Sequence, residues 1–212
     1  ARDVDEMIFL DLDGGQSGIN PRLLQEIAKE CFMPLTIGGG IRALDDIRLA
    51  LKIGADKIAI NTAAIKTPEF ISEAAKKFGS QCVVISIDAK RVGDGYEVFA
   101  NGGKLATGLG AVEWAKAAEQ KGAGEILLTS IDSDGMMNGY DIQLARAVTG
   151  AVKIPVIASG GAGNLEDCLG VIKEGRVSAL AAASIFQYTQ ITPLNIKEYL
   201  AKFGVETRVK KL

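Results

Sequence analysis

Residues 34–40 read Pro34-Leu35-Thr36-Ile37-Gly38-Gly39-Gly40, and 121 positions later the chain reads Pro155-Val156-Ile157-Ala158-Ser159-Gly160-Gly161. Each stretch is a proline, an apolar β-type run and a glycine pair in the same places. Moving outward, Asp11-Leu12-Asp13-Gly14 closes the apolar run before the first stretch. Asp132-Ser133-Asp134-Gly135 closes the run before the second, again 121 positions on. Solenoid repeats have periods of roughly 20–50 residues, so an offset this long describes two halves of one larger body.

The pattern around these stretches is an alternation of short apolar runs and helical periodicity. Strands are predicted over Met7–Leu10, Pro34–Ile37, Lys57–Ile60, Val83–Ile87, Ile126–Ser130, Pro155–Ala158 and Val177–Ala181. They are continuous apolar runs, the mark of strands covered on both faces. Helices are predicted over Arg22–Lys29, Asp45–Ile53, Pro68–Phe78, Ala111–Lys121, Asp141–Val148, Leu165–Lys173 and Ile196–Phe203. Pro68 suits a first helical turn, and Gly54, Gly79 and Gly122 suit C-terminal caps. Between them, Gly93–Gly108, with Tyr96, Val98 and an Asn101-Gly102 turn, reads as an inserted β-hairpin. Strand–helix pairs in series mean an α/β fold with a parallel sheet.

Four such units per half make eight, a (β/α)₈ TIM barrel with a two-fold half-barrel repeat. Only seven strands are readable. The counterpart of the strand before Asp88 would fall ahead of residue 1, so a first strand–helix unit of roughly 40 residues is expected to be absent from this sequence. Residues 1–212 are read as one N-terminally incomplete barrel domain, since no Pro- or Ser-rich linker divides them.

Composition narrows the chemistry. The 24 basic and 26 acidic residues give a net charge of −2, against a large nucleic-acid footprint. No apolar run is long enough to span a membrane. Three scattered cysteines suit a reducing, cytoplasmic setting. With no histidine in 212 residues, Ser-His and Cys-His pairs and His-ligated metals are excluded. No metal and no cofactor is expected. Carboxylates, lysines or backbone groups must carry the reaction.

Barrel active sites lie at the C-terminal ends of the strands. Gly38-Gly39-Gly40 and Gly160-Gly161 stand there, able to close backbone N–H groups on phosphate or simply to make tight turns. Their recurrence in both halves favours phosphate. Asn61, Thr62 and Ser184 add donors beside them, and the expected ligand is an elongated bisphosphate. Asp88 ends its strand where a general acid/base would sit, or else pairs with Lys90 or Arg91. Asp11, Asp13 and Asp132 also lie at strand ends, and Asp134-Gly135 is either a phosphate-loop anchor or a plain turn. At the opposite ends, Glu6, Lys57 and Glu125 converge on the barrel floor, where stability is the ordinary role. Cys31, Met33 and Trp114 read as packing.

Taken together, Asp5-Glu6-Met7-Ile8-Phe9-Leu10-Asp11, Gly38-Gly39-Gly40-Ile41, Gly54-Ala55-Asp56-Lys57, Ile60-Asn61-Thr62-Ala63-Ala64, Ile87-Asp88-Ala89-Lys90-Arg91-Val92, Gly122–Asp132 and Ala158-Ser159-Gly160-Gly161-Ala162-Gly163 resemble the cyclase subunit of imidazole glycerol phosphate synthase, the HisF type. The resemblance covers essentially the whole chain. It implies a barrel that takes ammonia from a glutaminase partner of the HisH type. That ammonia converts a bisphosphorylated ribulosyl aminoimidazole nucleotide (PRFAR) into imidazole glycerol phosphate and AICAR. It implies a catalytic role for Asp88, whose mate would belong to the absent strand. One phosphate would sit on Gly40, Asn61 and Thr62, and the other on Asp134, Gly135, Gly161 and Ser184. Glu6, Lys57 and Glu125 would form an ammonia gate, with Asp56 at the glutaminase interface. Two stretches differ. The family usually reads Asp-Ile-Thr-Ala-Ser where this chain has Asp11-Leu12-Asp13-Gly14-Gly15. The run Glu30-Cys31-Phe32-Met33-Pro34-Leu35-Thr36 is similar to paralogues that form acetamidino groups on surface-polysaccharide sugars. A third expectation is a non-catalytic scaffold that conducts ammonia.

Overall fold

A computed structural model describes residues 3–11, 14 and 18–208. Asp13, one of the strand-end carboxylates singled out above, lies outside the described residues. Seven strands pair in parallel in the order β1 (Met7–Leu10), β2 (Leu35–Gly38), β3 (Lys57–Ile60), β4 (Val83–Val92), β7 (Glu125–Ser130), β8 (Val156–Ser159) and β9 (Ala179–Ala181). They curve into a nearly closed barrel whose two end strands are β1 and β9, and no ladder joins those two among the described residues. Helices alternate with the strands: α1 (Pro21–Glu30), α2 (Leu44–Ile53), α3 (Thr62–Lys66), α4 (Glu69–Phe78), α5 (Ala111–Gln120), α6 (Ile142–Thr149), α7 (Leu165–Lys173), α8 (Ser184–Tyr188) and α9 (Pro193–Lys202). This is the α/β TIM-barrel architecture.

Continuous apolar strands divide their side chains between two layers. Ile58, Ile60, Val83, Ile85, Ile87, Ile126 and Leu128 face the helices and form the main core with Ile47, Ile71 and Leu144. Ala59, Val84, Leu127 and Ile157 point the other way and form a small separate cluster inside the ring, with Ile8 and Ala181 against it. Inner-face residues therefore run in columns from floor to mouth: Lys57, Ala59 and Asn61 at β3, Val84, Ser86 and Asp88 on β4, Glu125, Leu127 and Thr129 on β7.

The repeat persists in atomic detail. Strands β2 and β8 begin and end 121 positions apart, and so do the first residues of α2 and α7. Asp46 Oδ2 accepts from the N–H groups of Arg42 and Ala43, and Asp167 Oδ2 accepts from those of Gly163 and Asn164. Asn20 caps α1 through Leu23 N, and Asp141 caps α6 through Leu144 N. Matching helix starts hold the two halves, with Asn164 adding a side-chain cap to α7 where α2 has Ala43.

The differences from the expected elements have physical reasons. β4 does not end at Ile87 but runs on to Val92, because β5 (Gly95–Ala100) supplies an antiparallel partner for its polar end. β6 (Leu105–Gly110) then pairs with β5 around a turn with Asn101, Gly102 and Gly103 at positive φ. The last helix starts at Pro193, three residues before the apolar pattern does, because Thr192 caps it and proline fits its first turn.

Candidate active site at the mouth of the barrel

Asp88 sits in the middle of β4, where the parallel ladder to β7 (Asp88 opposite Thr129) and the antiparallel ladder to β5 (Asp88 opposite Phe99) meet. Its side chain is on the inner face and half-buried. Asn61 Nδ2 donates to Asp88 Oδ2 at 3.2 Å, and Ser86 Oγ lies 3.4 Å from Oδ1. Burial pushes the carboxyl up to about 6, and the Asp134 charge pushes the same way against the Ser86 hydrogen bond. Lys90 and Arg91, the alternative partners, do not reach it. Arg91 donates to Tyr96 Oη and Gln143 Oε1 instead, over the Tyr96 ring. A carboxyl poised near 6 can both give and take a proton near neutral pH.

The glycine turns flank this group. Gly40 and Gly161 both have positive φ, and a Cβ on either would strike backbone. The obstacle is Gly18 in one half and Gly139 in the other, a further pair 121 positions apart. In each half the loop after one strand thus folds down over the glycine turn after the next. Among the described residues, no hydrogen bond uses the N–H of Gly40 or of Gly161. Asp134 packs against Gly160, and Gly135 is exposed with positive φ. Ser184 opens α8 in the same half. The structure therefore gathers Asp134, Gly135, Gly161 and Ser184 on the β7–β9 side and Gly40, Asn61 and Thr62 on the β2–β3 side. Asn61 and Thr62 are already engaged: Thr62 Oγ1 donates to Asn61 Oδ1 and accepts from Asn101 N.

On the floor, Lys57 Nζ bonds Glu6 Oε2 at 2.9 Å and Glu125 Oε1 at 2.7 Å. The Glu125 Oε2 atom is buried without a hydrogen-bond partner among the described residues. Asp56, next to this cluster, uses its Oδ2 to accept from Leu35 N and so braces the start of β2. From Glu125, opposite Val84, to Thr129, opposite Asp88, is four residues of β7, or about 13 Å from floor to mouth.

Sequence reasoning missed Ser86, two residues before Asp88 on the same face of β4, and Phe99 and Asn101, which the pairing of the hairpin with β4 brings to the Asp88 group. The Asn101-Gly102 turn was the one visible signal. A family model described as "Histidine biosynthesis protein" matches residues 1–192 of this chain.

Proposed function

Because the chain belongs to the histidine biosynthesis protein family, we propose that it is the ammonia-using cyclase among that family's barrels. It would convert PRFAR and ammonia into imidazole glycerol phosphate and AICAR. The observation that carries this reading is the inner column: a lysine clamped by two glutamates at the floor, below a carboxyl poised near 6 at the mouth. Ammonia released by a glutaminase docked beneath would enter past Glu6, Lys57 and Glu125, with Asp56 at the contact. It would rise past small or apolar inner residues such as Ala59, where a charged ammonium is disfavoured. At the top Asp88 would move protons during ring closure. The turns at Gly40 and Gly161 would each hold a phosphate of the elongated substrate, with Thr62, Asp134, Gly135 and Ser184 alongside.

The deciding experiment is turnover of PRFAR with ammonium chloride by the full-length protein. AICAR formation that an Asp88→Asn change abolishes is the expected result. Absence of turnover in a folded protein would sink the reading. Isomerisation of an open-chain precursor without ammonia would move it to another branch of the same family. The run Glu30–Thr36 favours a second reading, ammonia supply for acetamidino-sugar formation. It predicts glutamine-dependent transfer to a sugar and inert PRFAR.

A further inference from the structure

The Asn61 side chain has every polar atom committed. Its Nδ2 lies 3.2 Å from Asp88 Oδ2, 3.2 Å from the Ser86 carbonyl and 3.3 Å from the Phe99 carbonyl. Its Oδ1 accepts from Thr62 Oγ1 at 3.2 Å, and Thr62 Oγ1 in turn accepts from the Asn101 N–H at 3.0 Å. Phe99 ends the stretch of β5 that pairs with β4, and Asn101 opens the β5–β6 turn. The amide thus spans three elements: the end of β3, the middle of β4 and the hairpin. A side chain that serves as an anion ligand keeps a donor free for the anion. This one has its two N–H hydrogens shared among the reacting carboxyl and two carbonyls that cannot move independently of the strands.

We infer that Asn61 is a positioning residue for Asp88, clamped from behind by the hairpin through Phe99 and Asn101, and that its side-chain amide is not a phosphate ligand. The inference rests on reading Asp88 as the acid/base of the site. An N–H aimed at Oδ2, with Ser86 Oγ 3.4 Å from Oδ1, holds the carboxyl in one rotamer from two sides. A donor to a carboxylate favours its ionised form. Ser86 acts in that sense on Asp88, against burial and against Asp134 on the loop after β7. An N–H from Asn61 to Oδ2 adds to the same side. The hairpin then becomes part of the catalytic apparatus without touching substrate.

The test is ammonium-dependent turnover of PRFAR against pH by the full chain. It compares wild type, Asn61→Ala, Thr62→Val and, as the conservative control, Thr62→Ser. A misplaced general base costs about tenfold or more in kcat. Asn61→Ala is expected to show that loss, with KM within about twofold and the acid limb of the profile moved to higher pH. Thr62→Val should follow with a smaller loss, and Thr62→Ser should restore it. Should Asn61→Ala not fold, a carboxyl-carbon NMR titration of Asp88 in Thr62→Val still reads the clamp. A raised KM with unchanged kcat and pH profile would return Asn61 to the phosphate and overturn the inference, as would no change at all. Full turnover by Asp88→Asn would overturn the underlying reading instead, and the two failures are thus distinguishable.

Discussion

Lys57 Nζ lies 2.7 Å from Glu125 Oε1, a residue 68 positions away in sequence, and 2.9 Å from Glu6 Oε2 on its other side. Burial on its own would lower the lysine pKa, and the two carboxylates more than reverse that, so the ammonium is held above its ordinary value. A raised lysine stabilises the fold at every pH below the unfolded value, and the benefit fades only as pH climbs through the folded one. At neutral pH it is fully present. Replacing Lys57 by Ala leaves two carboxylates facing each other. The cost expected is about 1–2 kcal/mol, less than for a fully buried pair because Glu6 is 41% exposed. If the floor gates ammonia, the ratio of glutamine-dependent to ammonium-dependent product should fall in the same variant. An unchanged ratio would leave the cluster a purely structural one.

Asp88→Asn should separate activity from stability. A carboxyl raised to about 6 binds its proton more tightly in the folded state than in the unfolded one. Stability therefore declines as pH rises from about 4 to about 6, and the cost is complete above that, at up to about 2–3 kcal/mol. Asparagine does not ionise. The variant is expected to lose turnover by about 10²-fold or more, yet to resist urea better than wild type at pH 7.5 and no better at pH 4. Equal denaturation midpoints at both pH values would contradict the burial argument.

Alanine at Gly40 or Gly161 meets both a left-handed backbone and a collision with the neighbouring loop. Each change should cost about 2 kcal/mol or more in thermal or urea denaturation. Gly135 has a similar φ but open space around it. Alanine there should cost only about 1 kcal/mol, the backbone strain alone. Equal losses at Gly135 and Gly161 would mean that the collision is relieved by movement of the loop.

The caps at Asn20 and Asp141 allow a matched comparison. Each accepts a hydrogen bond three residues into its helix, but Asp141 Oδ1 also accepts from Tyr96 Oη at 2.8 Å. Asn20→Ala should cost about 1 kcal/mol. Asp141→Ala should cost that plus the hydrogen bond from the hairpin, about another 1 kcal/mol. Tyr96→Phe in the Asp141→Ala background should then add only the loss of the exposed Arg91 hydrogen bond to Tyr96 Oη, roughly a few tenths of a kcal/mol, at the lower end for such bonds.

What could be read along the chain, and what could not, follows from how local each signal is. Pro34 with Gly39-Gly40, and Pro155 with Gly160-Gly161, placed β2 and β8 and their turns, because a strand, a turn and a cap are each written in adjacent residues. The meeting of Glu6, Lys57 and Glu125 followed from geometry, since first residues of barrel strands converge. The short helices α3 and α8 escaped notice because five residues such as Thr62–Lys66 are too few to show a helical period. The extension of β4 was hidden by Lys90 and Arg91, whose polar character ended the apolar run although the backbone ladder continues. The turn of Asn61 toward Asp88 was invisible for a different reason. Both residues were identified as mouth residues, but which neighbour an amide chooses is settled by side chains on three strands at once.

Lys197 on α9 bonds Asp5, just ahead of β1, and joins positions 192 apart. Its side chain is only 12% exposed there, and its Nζ also donates to the Arg208 carbonyl at 3.2 Å. A link of that span is made at the greatest loop-closure entropy the chain can be asked to overcome, whereas the caps and βα turns on either side close short loops. It is thus expected to form late in folding. Weakening it with Asp5→Ala should therefore accelerate unfolding and leave the refolding rate almost untouched, so that this seam governs how long a folded molecule lasts and not how quickly one is made.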